Sequence, residues 1–443
     1  MRAKTILLAA TLLAATPLLK AQDTAAAPQR LSLTLRQAQD YAIAHNYAFK
    51  NASLDQRKAY AERWQAISSM LPQGTAGFAY QNMLGYEMKL PMSPVAIPMN
   101  PTGQLTAYVA VALSGAQIVG VMLANISVRL GDIMYRQTIQ TTEADVKSLY
   151  TNLLVMQQTM SLLDSSLANM LRLKQNTDDA VAVGASEQVD ADKLSVQVSM
   201  LRNTISSNKR ALELLKNSLL LRLGANPDDE ITLTSTLDDI LDVNDAAQML
   251  RKPFDIGKNF DYQALVQSEA ASKKQLALAY MDYLPTASIF YQYSHLTYFG
   301  KKEGFNMNPP NMLGINLSWS IFSSGMRWKK VAAAKYDHEK ATNNRLQAED
   351  ALRVQHKQAS FDLVNALDAY RIQKENIDVS RRVFDNVAEK YKYGRASSLE
   401  VTQASTDVIN AQSSYIQAVV GVVNAQVALE KVLSENQYTE QPQ

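Results

Sequence analysis

The apolar positions of this chain follow two different periods. From Val146 they fall at Leu149, Leu153, Met156, Met160, Leu163, Leu167 and Met170, in alternating steps of three and four. That is the heptad stripe of a helix packed in a left-handed coiled coil. A second helix is expected after Gly184, with Leu194, Val198, Leu201, Ile205, Leu212, Leu215 and Leu219 on its stripe and Asn208 as a polar break. A looser version runs through Leu363, Leu367, Tyr370, Ile377, Phe384, Val387 and Tyr391. These stripes read as helix–helix packing rather than as a ligand site. The period changes to two between Pro310 and Gly325. Leu313, Ile315, Leu317, Trp319 and Ile321 alternate with Gly314, Asn316, Ser318 and Ser320. Successive strand side chains face opposite sides, so this strand has one apolar face and one small, polar face. A weaker alternation sets Leu105, Ala107, Val109, Val111 and Leu113 against Thr106 and Ser114.

These elements occur twice. Leu71-Pro72 recurs as Leu284-Pro285, an offset of 213. Ser114-Gly115 recurs as Ser324-Gly325, Gly184 as Gly394 and Leu223 as Leu433, each at an offset of 210. Met326 to Tyr393 holds neither Gly nor Pro, the residues that most disfavour a helix interior. At 1.5 Å per residue it would form a rod of roughly 100 Å. Each half reads helix, proline, strand, loop, strand, long helix, glycine turn, second helix. The first helix is expected to start at a Thr34–Gln37 capping box and to run towards Leu71, where Pro72 ends it.

The expected divisions are a first repeat over 22–224, a connector over 225–261, a second repeat over 262–434 and a tail over 435–443. Strands are expected at about 73–83, 104–114, 286–298 and 311–322. The connector breaks the helical pattern with Pro227, Pro253 and a strand-like run at Ile231 to Thr234, so it is expected to fold as a small mixed patch. The loops Leu84 to Gly103 and Phe299 to Asn311 are rich in Pro, Gly or Asn, as external loops are.

Composition narrows the setting. Residues 1–21 read as an export signal: Arg2 and Lys4, the apolar run Thr5 to Leu19, and a cut after Ala21. Its removal takes Arg2, Lys4 and Lys20, leaving 41 basic against 42 acidic residues, a net charge of −1. That excludes the basic surface of a nucleic-acid-binding protein. With no cysteine among 443 residues, thiol catalysis, disulfides and cysteine-based zinc sites are excluded, and no N-terminal lipid anchor is expected. No later segment is expected to be an apolar transmembrane helix. The alternating strands fit a β-barrel instead, apolar towards lipid and polar towards the lumen. Tyr80, Tyr86, Tyr291, Tyr293, Tyr298 and Trp319 are aromatic residues suited to the lipid interface. Four strands cannot close a barrel, since about eight is the minimum. Two copies would give a barrel packed shut; three would give twelve strands and a channel.

The chain resembles the TolC-like outer-membrane efflux proteins. The resemblance rests on Leu33-Thr34-Leu35 with Ala38 and Ala42, on Tyr283-Leu284-Pro285-Thr286 and on Leu317 to Gly325. It rests also on Tyr391-Lys392-Tyr393-Gly394 and Leu221-Arg222-Leu223-Gly224, and on the order and duplication of these segments. It implies a homotrimer, mainly α, with a twelve-stranded outer-membrane barrel and a periplasmic helical tunnel. It further implies that the tunnel's inner end docks on a periplasmic adaptor and an inner-membrane pump, driven by protons or ATP. The helix-turn tips would lie at Gly184 and Gly394. Asp190 and Glu400 align with carboxylates that line the family's constricted entrance. Gln403 replaces a second acidic residue there, and Tyr391 matches a tyrosine linking neighbouring coils in the closed state. Arg395 stands one position away from the family's usual basic residue.

No catalytic, cofactor-binding or metal set is expected. His45, His295, His338 and His356 lie in no metal-spaced motif and are expected at the surface or in the lumen, and no nucleophile elbow occurs. The function expected is a passive efflux or secretion duct, in contact with outer-membrane lipid and not with nucleic acid. The alternative is a structural coiled-coil envelope protein, which has no need of the alternating strand at Leu313 to Ile321.

Overall fold

The computed structural model describes residues 29–88, 97–184, 186–241, 243–299 and 309–434. The expected signal at 1–21 and the tail at 435–443 lie outside the described residues, as do parts of both strand-connecting loops.

The chain begins with β1 (Arg30–Leu33), α1 (Leu35–His45) and α2 (Tyr47–Ser68). The Thr34 box forms: Thr34 Oγ1 accepts from Gln37 N at 3.3 Å, and Gln37 Oε1 accepts from Thr34 N at 2.9 Å. The single helix expected from Thr34 to Leu71 is corrected, because it breaks at Asn46 (φ −61°, ψ 132°). The Asn46 side chain accepts from Ala48 N at 2.7 Å, capping α2, and donates to the Arg222 carbonyl. An asparagine side chain competes for backbone groups in this way, and here the break also provides a tertiary contact.

Next come β2 (Gln73–Gln81), the short pair β3 (Glu87–Met88) and β4 (Ile97–Pro98), and β5 (Thr102–Leu113). The 68-residue α3 (Gly115–Ala182) follows, capped by a box between Ser114 and Gln117, and then the 36-residue α4 (Gln188–Leu223). The connector holds β6 (Glu230–Leu233), α5 (Leu237–Ile240), α6 (Val243–Met249) and one 3₁₀ turn. The second half is α7 (Phe260–Met281), β7 (Thr286–Tyr298), β8 (Asn311–Ser318), the 67-residue α8 (Met326–Lys392) and the 36-residue α9 (Ser398–Leu433).

β2, β5, β7 and β8 form one antiparallel sheet in that order. Directly paired residues share a face. Leu313 pairs with Tyr291, Ile315 with Ile289 and Leu317 with Ala287. Those β7 residues in turn pair with Val109, Val111 and Leu113. The apolar positions of separate strands thus combine into one continuous apolar face. Tyr80 and Tyr293 join it, but Tyr298 pairs with Thr102 and lies on the other face. β8 ends at Ser318 rather than near 322, so Trp319 and Ile321 lie beyond the strand. The Trp319 indole donates to the Tyr283 carbonyl at 3.0 Å, which turns the chain towards α8. On the opposite face Tyr108 and Phe290 stack at 5.6 Å. Phe290 lies over Gly314, where a Cβ would come within 2.6 Å of its ring.

The helices form a row beneath the sheet. α2 packs on α3, α3 on α7 and α7 on α8; further down, α4 packs on α3, α3 on α9 and α9 on α8. The heptad stripe is core: Val146, Leu153, Met160, Leu163 and Met170 are buried. Two clusters repeat each other. Leu153, Leu219 and Leu223 are buried with Ala38 and Ala42, and Leu363, Leu429 and Leu433 are buried with Ala246 and Met249. Each leucine of the first set has its counterpart 210 residues later. At the equator β1 pairs in parallel with β6, and Tyr150 Oη donates to Leu33 O at 2.8 Å and accepts from Ser235 N at 3.1 Å. The halves are joined there by Lys147–Glu430 at 2.8 Å and by Lys431–Asp145 at 3.2 Å, and Arg222 pairs with the same Asp145 from within the first half.

The expectation that no later helix could span a membrane by composition is also corrected. α3 and α9 each contain an 18-residue window of mean hydropathy 1.4. The α9 window is 56% buried against neighbouring helices, whereas the α3 window is only 17% buried within one chain.

Candidate functional site

The ends of the two long helices, farthest along α3 and α8 from the sheet, hold the residues singled out from the sequence. Each helix reverses through a glycine in the left-handed region, Gly184 at φ +75° and Gly394 at φ +68°. An added Cβ would meet nothing within 4 Å at either one. These glycines serve backbone conformation, not close packing. Arg395 N closes the second turn by donating to Lys390 O at 2.9 Å, and the Arg395 side chain is exposed.

Asp190 and Glu400 occupy the third position of α4 and α9, equivalent places in the two halves. Their local roles differ. Glu400 accepts from Ser397 N at 2.8 Å while Ser397 Oγ accepts from Glu400 N at 3.2 Å, so its carboxylate is engaged in a capping box. Asp190 lies 3.7 Å from Lys193, and α4 has no side-chain cap. Both carboxylates also favour their helices through the dipole. Gln403 donates to Asp407 at 2.9 Å along its own helix.

Tyr391 is placed differently. Its hydroxyl lies 3.0 Å from Thr177 Oγ1, joining α8 to α3 across the tip. Thr177 is fully buried and donates to the Leu173 carbonyl at 3.0 Å. Thr177 could not be found from the sequence: it stands 391 − 177 = 214 residues from its partner, in no motif. A groove of about 410 Å³ lies next to this contact, lined among others by Leu173, Phe384 and Val401.

The equatorial charge cluster borders a cavity of about 590 Å³ between α1, α3, α9 and the connector. Burial pushes the Glu143 carboxyl up to about 7 against the opposing pull of Arg36, with Asp40 and Glu430 adding to the rise. A carboxyl whose pKa is higher folded than unfolded binds protons on folding, so its contribution is present below about 4.5 and is lost as pH rises to about 7. A Glu143→Gln variant is therefore expected to lose less thermal stability than the parent between pH 5 and pH 8. Melting both proteins at each pH checks this, and other titrating groups cancel in the comparison.

His45 and His295 are exposed, and His338 and His356 are half-buried. His45 stacks on Tyr41 at 4.0 Å, His356 on Phe254 at 4.4 Å, and His338 is 3.0 Å from Ser272. His295 sits on the apolar strand face, opposite Leu105.

Residues 256–435 match the family model described as outer membrane efflux protein. Solved structures share the fold across the chain. The outer membrane protein VceC of Vibrio cholerae aligns with a TM-score of 0.73 at 15% identity, over 90% of this chain and 95% of its own. The CmeC outer membrane channel of Campylobacter jejuni aligns at 0.74 and 15%, over 90% and 85%. The open-state MtrE outer membrane channel of Neisseria gonorrhoeae aligns at 0.72 and 15%, over 90% and 88%. No curated protein matches the sequence.

The second repeat thus matches the outer membrane efflux protein family, and the whole chain has the fold of these solved outer membrane channels. The mainly helical class with two structural repeats and a four-stranded sheet, expected from the sequence, is the architecture of this chain.

Proposed function

We propose that three copies form a passive duct across the outer membrane and periplasm, and that an inner-membrane pump supplies the energy through a periplasmic adaptor. The observation that carries this is the junction of an open sheet, apolar on one face, with two rods of 68 and 67 residues. The sheet has two unpaired edges, β2 and β8, and an edge in a membrane must be paired. Three copies give twelve strands, enough for a water-filled lumen. The chain divides accordingly into a signal at 1–21, repeats at 22–224 and 262–434, a connector at 225–261 and a tail at 435–443.

The helix tips at Gly184 and Gly394 form the periplasmic entrance. Three copies of Asp190 and of Glu400 around the axis make carboxylate rings that attract cations. Gln403 lowers the charge of that entrance, and Arg395 and Tyr391 border it. Tyr391 ties neighbouring helices of one protomer through Thr177, so parting those helices requires breaking that contact.

In a planar lipid bilayer the trimer is expected to conduct. Replacing both Asp190 and Glu400 by alanine is expected to raise open probability and reduce cation preference, with a reversal potential nearer zero under a salt gradient. Unchanged conductance and selectivity would remove the entrance role. In-cell cross-linking followed by affinity capture and mass spectrometry tests the assembly. An adaptor with a proton-driven pump assigns small-molecule or metal efflux, and an ATP-driven exporter assigns peptide or protein secretion. Self-cross-links alone, without conductance, would favour the structural envelope protein.

A further inference from the structure

We propose that the cleft between α7 and α8, just below the sheet, binds one anionic phospholipid of the membrane's periplasmic leaflet, with the phosphate between Lys273 and Lys335 and the acyl chains against Tyr280, Trp328 and Val331. The inference rests on the membrane reading of the sheet above and deepens it. The cleft, of about 590 Å³, is lined by Tyr280, Tyr283, Trp328, Val331, Ala332 and Lys335 among others. It begins where the strands end: Tyr283 lies three residues before β7, and Trp328 is the third residue of α8. Its rings are not covered by the chain itself, since Trp328 is 64% exposed and Tyr280 is 50% exposed. A concave apolar patch of this kind marks a contact surface.

The cleft opens on the same side as the apolar face of the sheet. On an ascending strand, an L-residue whose side chain points at the viewer directs its N–H to the viewer's right. Phe299, which packs on Tyr80 on the apolar side, donates its N–H to Pro101 O, just ahead of β5, at 2.9 Å. Ser294, on the polar side, donates its N–H to Pro310 O, just ahead of β8, at 2.8 Å. Seen from the apolar side with the helices below, β5 therefore lies to the right of β7 and β8 to the left. The helices follow their strands: Met281 of α7 meets Gly115 of α3 on the right, and Ser272 meets His338 of α8 on the left. On a right-handed helix of 3.6 residues per turn, those two contacts turn Tyr280 and Lys273 towards the viewer. The face that continues the lipid side of the strands is thus the face that carries the cleft.

Chemistry along the two helices selects the occupant. Seven residues below each aromatic, about 10 Å further from the sheet, stands a lysine: Lys273 below Tyr280 on α7, and Lys335 below Trp328 on α8. The Ser272–His338 contact brings the two lysines within one helical turn of each other in height. Lys273 is exposed, and Lys335 is held only by a loose pair with Glu339 at 3.9 Å, both side chains exposed. Such a pair contributes little, so both ammonium groups are open to a phosphate. Aromatic above and cation below is the order of a membrane boundary, where rings sit at headgroup level and lysines meet anionic lipid. The same order recurs at Trp64 and Arg57 on α2 and at Met122 and Arg129 on α3, all four exposed. The cleft sets the α7–α8 pair apart, because it can enclose a chain as well as meet a headgroup.

The test titrates detergent-solubilised full-length protein with phosphatidylglycerol or with phosphatidylcholine and counts bound lipids by native mass spectrometry. One phosphatidylglycerol per chain is expected to be retained, in preference to phosphatidylcholine. A Lys273→Gln/Lys335→Gln variant is expected to bind phosphatidylglycerol on the order of tenfold more weakly. Trp328→Ala is expected to weaken both lipids. Lys209→Gln/Lys216→Gln makes the same charge change on α4 and is expected to bind as the parent does. Inorganic phosphate at the same concentration is expected to displace nothing. Equal binding by the parent and the Lys273→Gln/Lys335→Gln variant, an equal loss in the α4 variant, or displacement by inorganic phosphate would overturn the site and leave the membrane reading intact. A parent protein that fails to float with mixed phosphatidylcholine–phosphatidylglycerol vesicles would overturn the membrane reading itself, and the site with it.

Discussion

Replacing Gly224 by alanine is expected to destabilise the protein more than the same change at either tip glycine. All three have positive φ, with Gly224 at +77°, and an L-residue there costs about 1–2 kcal/mol. The surroundings separate them. At Gly224 a Cβ would lie 2.5 Å from the His45 carbonyl oxygen, 2.6 Å from its carbon and 2.8 Å from Asn46 N. All three atoms are backbone, in the break between α1 and α2, and cannot rotate away. Overpacking of this kind adds about 1–3 kcal/mol or more. The total, about 2–5 kcal/mol, is a large part of the roughly 5–15 kcal/mol that holds a typical domain. Thermal melting of detergent-solubilised Gly224→Ala, Gly184→Ala and Gly394→Ala proteins checks this. The expected order is a large loss at 224 and small losses at the tips. Equal losses would mean that conformational strain alone acts at 224.

Replacing Leu220 by alanine is expected to cost about 2–5 kcal/mol, the range for a large-to-small change in a packed core. Leu220 is fully buried in the cluster with Ala38, Ala42, Leu153, Leu219 and Leu223. That cluster joins α1, α3 and α4 to β6, so the cavity would loosen the equator as a whole. Leu214, on the same helix, is 68% exposed. Leu214→Ala is expected to leave the melting temperature of the unassembled chain nearly unchanged. Comparable losses from the two substitutions would show that α4 is held by something other than this core.

Most of the helical and strand pattern was legible because period and burial agree. The stripe from Val146 to Met170 is the packed side of α3, and the alternation at Leu313 to Leu317 is the apolar row of β8. Asn46 was not legible, because its neighbours continue a helical pattern without Pro or Gly. Only its partners at Arg222 and Gly224, some 180 residues away, make the break favourable. β1 escaped notice for a similar reason: four residues, Arg30–Leu33, gain strand geometry solely by pairing with β6. Trp319 and Ile321 continue the alternation in sequence, yet the Tyr283 carbonyl captures the Trp319 indole and ends the regular strand. At the tips, the glycine turns and the Glu400 box were readable from local sequence. The Tyr391–Thr177 contact was not, since it depends on how two distant helices are rotated about their axes.

The unequal helix lengths give the molecule a lever. α3 and α8 run unbroken from the sheet to the tip, while their partners change at the equator, from α2 and α7 above to α4 and α9 below. Below that level each long helix is braced by a 36-residue helix, an arm of about 54 Å. Swinging such a stiff arm by about 10° about the equator moves its end by about 9 Å. Because α3 and α8 pass the equator unbroken, such a swing has to bend those two helices themselves and cannot be taken up at the break where Asn46 meets Gly224.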